Sequence, residues 1–161
     1  MARRVVAMVT QLFAKPGAVF QPYITSKCLN CQYFNACIGN LRPLANYRVV
    51  SVRRHLVYCP ALAEELVTVE VEELPVRLTL DSRDVMPGAI IRYRKPAFHA
   101  GQEHEPLFVE EGERIRILRE IEKKNHLTVV EVEFIDPPHP RLWIAARRRL
   151  LGKQQSAGEA E

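Results

Sequence analysis

A chain of 161 residues that is 47% hydrophobic and 26% charged can bury a real core and is too apolar for intrinsic disorder. No apolar run approaches the roughly 18 residues of a membrane span, so a cytoplasmic protein that does not enter the membrane is expected. The formal charge of +4 hides an asymmetry: residues 1–60 carry Arg3, Arg4, Lys15, Lys27, Arg42, Arg48, Arg53 and Arg54 and no acid, whereas residues 61–140 are net acidic. Such a split points either to a polyanionic partner or to two regions that neutralise each other within one fold.

The opening "MARRVVAMVTQLFAKP" has two arginines before an apolar patch, as a leader would. Thr10 and Gln11 interrupt that patch and no small-residue cleavage site follows, so residues Val5 to Phe13 read as a strand. A short helix is expected from Gln32 to Ile38, stopped by Gly39. Strands follow at Tyr47 to Arg53, through the strict alternation of "LVTVEVEE" up to Pro75, and at Val76 to Leu80, Ile90 to Tyr93, Arg114 to Leu118 and Thr128 to Phe134. Lys123-Lys124-Asn125-His126 reads as a hairpin turn, "IDPPHPR" as a stiff connector and Leu142 to Ala146 as a last strand. The predicted fold is mainly β (β-rich α+β): a small barrel or sandwich of short strands with an N-terminal cysteine-cluster region. Residues 1–151 form one β-rich domain in this reading, and 152–161 a disordered tail. Four turn-then-strand units recur, "AKPGAVF", "LRPLANYRVV", "VMPGAIIRY" and "VEEGERIRIL", without a fixed period, and are read as barrel corners.

The chemistry is concentrated in "KCLNCQYFNACIGN". Cys28, Cys31, Cys37 and Cys59 are spaced C-x2-C-x5-C-x21-C, and the last is followed by Pro60. A C-x2-C pair sets two sulfurs on one side of a tight turn, and neighbouring thiolates repel unless a cation takes up their charge. Lys27 and the absence of acids are expected to lower the thiol pKa values. Three occupants fit the pattern. Disulfides are one, zinc is another, and a [4Fe–4S] cluster is the third, favoured by unequal ligand gaps and the Cys-Pro ending. Tyr33, Phe34 and Ile38 would keep water from the centre. His55 reads as a strand residue before it reads as a spare ligand, and His99 and His104 as members of a polar loop.

The run "CLNCQYFNACIGN", with "AKPGAVF" before it and "LRPLANYRVVSVR" leading to Cys59-Pro60, resembles archaeal proteins grouped as uncharacterised protein family number 0179. The likeness is carried by residues 9–60 and implies an archaeal, cytoplasmic, thermophilic protein, with no activity attached. The cysteine triplet is also similar to the iron–sulfur anchor of CRISPR-associated and RecB-like nucleases. Their catalytic Asp, Glu and Lys precede the triplet, whereas residues 1–27 here contain no acid and Glu122-Lys123-Lys124 falls in a turn, so only the cluster type is analogous.

No nucleophile, phosphate loop or zinc-protease motif supports catalysis. One expected function is nucleic-acid binding, most of all RNA, through Arg42, Arg48, Arg53 and Arg54 interleaved with Tyr23, Tyr33, Phe34 and Tyr47, joined by Arg147 and Arg149 on one strand face. Redox work with an acidic protein partner is another, and a zinc-stapled scaffold is the third.

Overall fold

Two-residue alternation of valine and isoleucine with polar side chains builds this molecule almost entirely from strands. The computed structural model describes residues 3–96 and 108–149; His99, His104 and the tail 152–161 lie outside the described residues. Eight strands are present: β1 (Arg4–Thr10), β2 (Val19–Phe20), β3 (Tyr47–Cys59), β4 (Glu64–Glu73), β5 (Val76–Asp81), β6 (Ile90–Arg92), β7 (Arg114–Lys124) and β8 (Leu127–Phe134). They form two curled, four-stranded antiparallel half-barrels, ordered β1-β4-β3-β2 and β5-β8-β7-β6. Val67, Val69 and Val71 of β4 pack on Ala7, Val9 and Val49 in one core; Val130, Val132 and Phe134 of β8 pack on Leu78, Leu80, Ile115 and Ile117 in the other. Val76 touches both.

The two half-barrels are the same unit twice. Val5, Ala7 and Val9 oppose Val71, Val69 and Val67 in the first, and Val76, Leu78 and Leu80 oppose Val132, Val130 and Thr128 in the second. Each first strand runs into one 3-10 turn, Gln11–Phe13 or Ser82–Asp84, and then into a Pro-Gly corner. Gly17 (φ 88°) and Gly88 (φ 86°) sit at equivalent corners. Gly17 N–H donates to the Val49 carbonyl at 2.8 Å and Gly88 N–H to the Ile117 carbonyl at 2.7 Å. Leu44 (φ 64°) takes the left-handed place that Gly112 (φ 89°) fills in the second unit. The four turn-then-strand units of the sequence are therefore two units repeated, not independent barrel corners. Unequal insertions hide the repeat: residues 21–46 separate β2 from β3, and 93–113 separate β6 from β7.

Four expectations change. β1 stops at Thr10, with a 3-10 turn after it, and β3 continues past Arg53 to Cys59. Two 3-10 turns, Cys28–Asn30 and Phe34–Ala36, replace the single helix expected from Gln32. Residues 142–149 are helical instead of a strand. Leu142, Ile144 and Ala146 share a strand face in the sequence, but Ile144 is 54% exposed while Leu142, Trp143 and Ala146 are buried at helical spacing. Arg147 and Arg149 thus do not share a face, being about 200° apart around a helix.

Candidate metal centre

The insertion between β2 and β3 is a chain of tight turns. Cys31 N–H donates to the Cys28 carbonyl, Phe34 N–H to the Cys31 carbonyl, and Gly39 N–H to the Phe34 carbonyl at 2.7 Å. Glycine is required at 39, since a Cβ there would lie 2.7 Å from that same Phe34 oxygen. These turns bring Cys28, Cys31 and Cys37 to the end of β3, where Cys59 sits. All four cysteines are free thiols, half-buried, and line one cavity of about 390 Å3. Among the described residues, no group of three or more His, Cys, Asp or Glu stands close enough to hold a single ion. The sulfurs surround a space; they do not meet at a point. His55 is exposed and does not line that space.

The sulfurs differ in environment. Burial, followed by the neighbouring Cys28, Cys59 and Cys31, pushes the Cys37 thiol up to about 12, opposite to the lowering expected from Lys27. Its Sγ lies 3.8 Å from the Met8 carbonyl on β1. Cys28 Sγ accepts the Thr25 N–H at 3.2 Å and contacts Thr25 Oγ1 at the same distance. Thr25 carries no sequence signal, because its role depends on the turn that folds it back. Behind the loop, Trp143 and Ala146 pack against Ile24 and Ile38, with Cys28, Phe34 and Cys37 alongside. The Trp143 indole N–H donates to the Leu41 carbonyl at 2.8 Å, so the C-terminal helix clasps the cysteine loop from its inner side.

The residues expected to contact nucleic acid are dispersed. Arg42 is fully buried: its guanidinium lies 3.6 Å above the Phe134 ring, 2.9 Å from Glu113 and 3.6 Å from Glu73, and donates to the Phe108 and Asp136 carbonyls. Tyr47 is buried too, donating to Glu73 at 2.8 Å and accepting the Arg42 N–H. Neither can reach a ligand; together they join the two half-barrels. Arg48 is exposed but paired with Glu72 at 3.1 Å, as its counterpart Arg116 is with Glu133 at 2.6 Å. Arg53 faces solvent 3.9 Å from Glu70, Arg54 and Tyr33 are exposed, and Arg147 and Arg149 lie on the C-terminal helix. Much of the basic excess of residues 1–60 is thus met by acids of β4 and of the second repeat.

Proteins similar to this one come from the archaeal genera Pyrobaculum, Pyrococcus and Thermococcus. A UPF0179 protein of Pyrobaculum aerophilum is 31% identical over 145 residues, covering 86% of this chain and 86% of its own length. One from Pyrobaculum arsenaticum is 29% identical over 143 residues, covering 84% of each. One from Pyrococcus abyssi is 32% identical over 91 residues, covering 56% of this chain and 64% of its own. No solved structure matches. The family model spans residues 5–133, both half-barrels and the cysteine loop, and the chain belongs to the uncharacterised protein family UPF0179.

Proposed function

We propose that the chain is an iron–sulfur protein in which Cys28, Cys31, Cys37 and Cys59 hold a [4Fe–4S] cluster that exchanges electrons with a partner. The observation that carries this reading is the shared 390 Å3 cavity lined by all four cysteines. A tetrahedral zinc ion with Zn–S bonds of about 2.3 Å needs its ligands gathered at one point, and among the described residues no group of three candidate ligands is so gathered. A cluster spreads its ligands over separate irons and suits the wider ring. Bound there, it would supply one-electron chemistry.

The chain's own part is ligation, insulation and access. Phe34, Ile38, Val57 and Leu66 form an apolar lining that limits water, and the Thr25 N–H directed at Cys28 Sγ favours the negative charge a reduced centre gains. Lys27, Tyr33, Tyr58 and Pro60 border the cavity at the surface, where a partner's redox group can approach. Lys27 lines the cavity with no acid among its described lining residues, which suits a partner with an acidic face.

Anaerobic purification followed by iron, zinc and sulfide analysis tests the reading. Expected are about four irons and four sulfides per chain with visible absorption that bleaches on reduction, all lost in Cys31→Ser. Zinc without sulfide, or metal-free protein, overturns it.

A further inference from the structure

The chain has five tyrosines. Tyr47 and Tyr93 are buried; Tyr23, Tyr33 and Tyr58 are exposed by 64%, 38% and 57%. All three exposed rings border the cysteines. Tyr33 and Tyr58 line the large cavity, and Tyr23 lines a second cavity of about 120 Å3 that shares Cys28, Cys37 and Cys59 with it. Neither cavity has an acidic residue in its lining, whereas Lys27 and the exposed amides Asn30 and Gln32 stand at the larger mouth. On the same strand as Tyr58, the pairing of β3 with β4 skips from Val52 to Leu56, so Arg53, Arg54 and His55 bulge outward. The equivalent bulge of β7 is smaller and lies between Glu120 and Glu122. Arg53 lies 3.9 Å from Glu70, whereas no carboxylate pairs with Lys27 or Arg54 among the described residues.

Exposed aromatic faces beside Lys27 and Arg54, with amides at the cavity mouth, form a surface on which flat bases stack while phosphates meet positive charge. The exposed Glu64 and Glu65 of β4 stand opposite Cys59 and Tyr58, so phosphates would meet positive charge at Lys27 and Arg54 and not beside Tyr58. We propose that this rim binds single-stranded nucleic acid, with bases stacked on Tyr23, Tyr33 and Tyr58 and the backbone passing Lys27 and the Arg53-Arg54 bulge. The site lies beside the cysteines and omits Arg42 and Tyr47. It does not depend on which metal the cysteines hold.

Fluorescence anisotropy on the full chain tests it, with labelled oligo(U) and oligo(dU) of about 12 nucleotides and a duplex of equal length. Both single strands are expected to bind more tightly than the duplex, and the stronger of the two identifies the sugar preferred. Tyr58→Ala and Tyr33→Ala should each weaken binding by about 5- to 100-fold, with Tyr58→Phe restoring it, since stacking requires the ring and not the hydroxyl. Lys27→Gln should lower the slope of log affinity against log salt by about 0.7. Because these side chains are exposed, unchanged melting curves separate lost binding from lost folding. Absent binding at roughly 50 mM salt, equal binding to duplex, or affinity unchanged in both tyrosine-to-alanine variants overturns the proposal, including any result in which the rim joins only protein to protein.

Discussion

Arg42→Met puts the joint between the two half-barrels to a quantitative test. Arg42 is fully buried and is held by Glu113 at 2.9 Å, Glu73 at 3.6 Å, two backbone carbonyls and the Phe134 ring. Methionine fills much of its volume but leaves Glu113 without its cation. Glu73 keeps Tyr47 at 2.8 Å and Arg3 at 3.5 Å. Breaking a buried pair by removing one partner costs about 3–5 kcal/mol, which for a chain of this size lowers Tm by roughly 10 °C. The loss should depend on pH in a definite direction. Burial already holds the Glu113 carboxyl above its ordinary range, with Arg42 opposing that rise. Without Arg42 it rises further. A carboxyl with a raised folded pKa favours the folded state below its unfolded value and disfavours it as pH climbs through the folded one. Urea denaturation of Arg42→Met should therefore show a large deficit at pH 7 and a smaller one near pH 5, and the added change Glu113→Gln should recover much of it. A deficit under about 1 kcal/mol at pH 7, or one that grows on acidification, would refute this account of the joint.

Two other changes probe the loop and the helix. Gly39→Ala forces a Cβ to within 2.7 Å of the Phe34 carbonyl oxygen and 3.0 Å of Asn35 Cα, both backbone atoms that cannot step aside alone. A loss of about 1–3 kcal/mol with reduced metal content is expected, measured by thermal melting and metal analysis; an unchanged melt would show that the turn is not tight. Arg141 grips Glu110 through two hydrogen bonds of 2.6 and 2.8 Å and holds its carboxyl below the ordinary value of 4.5. A depressed carboxyl stabilises the fold above its unfolded pKa and loses that effect as pH falls through the folded value. Arg141→Gln should then melt below the parent at pH 7, with the gap narrowing as pH falls below 4.5, and a gap that does not narrow in acid would argue for packing as the cause.

The strands were legible where one side of a segment is apolar and the other polar, as in "TVVEVEF", because that period has few structural alternatives. The C-terminal segment was misread because "LWIAA" satisfies both periods, and only the neighbours of Trp143 decide between them. The cysteines were found from spacing alone, yet Thr25 and the clasping helix were not, since both act across folds in the chain that leave no periodic trace. Arg42 was read as a surface cation by type. Its burial rests on Glu113 and Phe134, which lie far along the chain. Tyr58 drew no notice until β3 was seen to run beyond Arg53.

The repeat has a consequence for how the molecule tolerates change. The second half-barrel reaches the same pairing with no cysteine in it, so the strands do not need thiol chemistry to assemble. The sulfur-bearing turns of residues 25–39 are cargo on a frame whose joint at Arg42 lies just beyond them. Stripping them of their occupant should slacken the turns of residues 25–39 and leave Arg42 and the β framework in place, so that emptying and refilling need not pass through a collapsed chain.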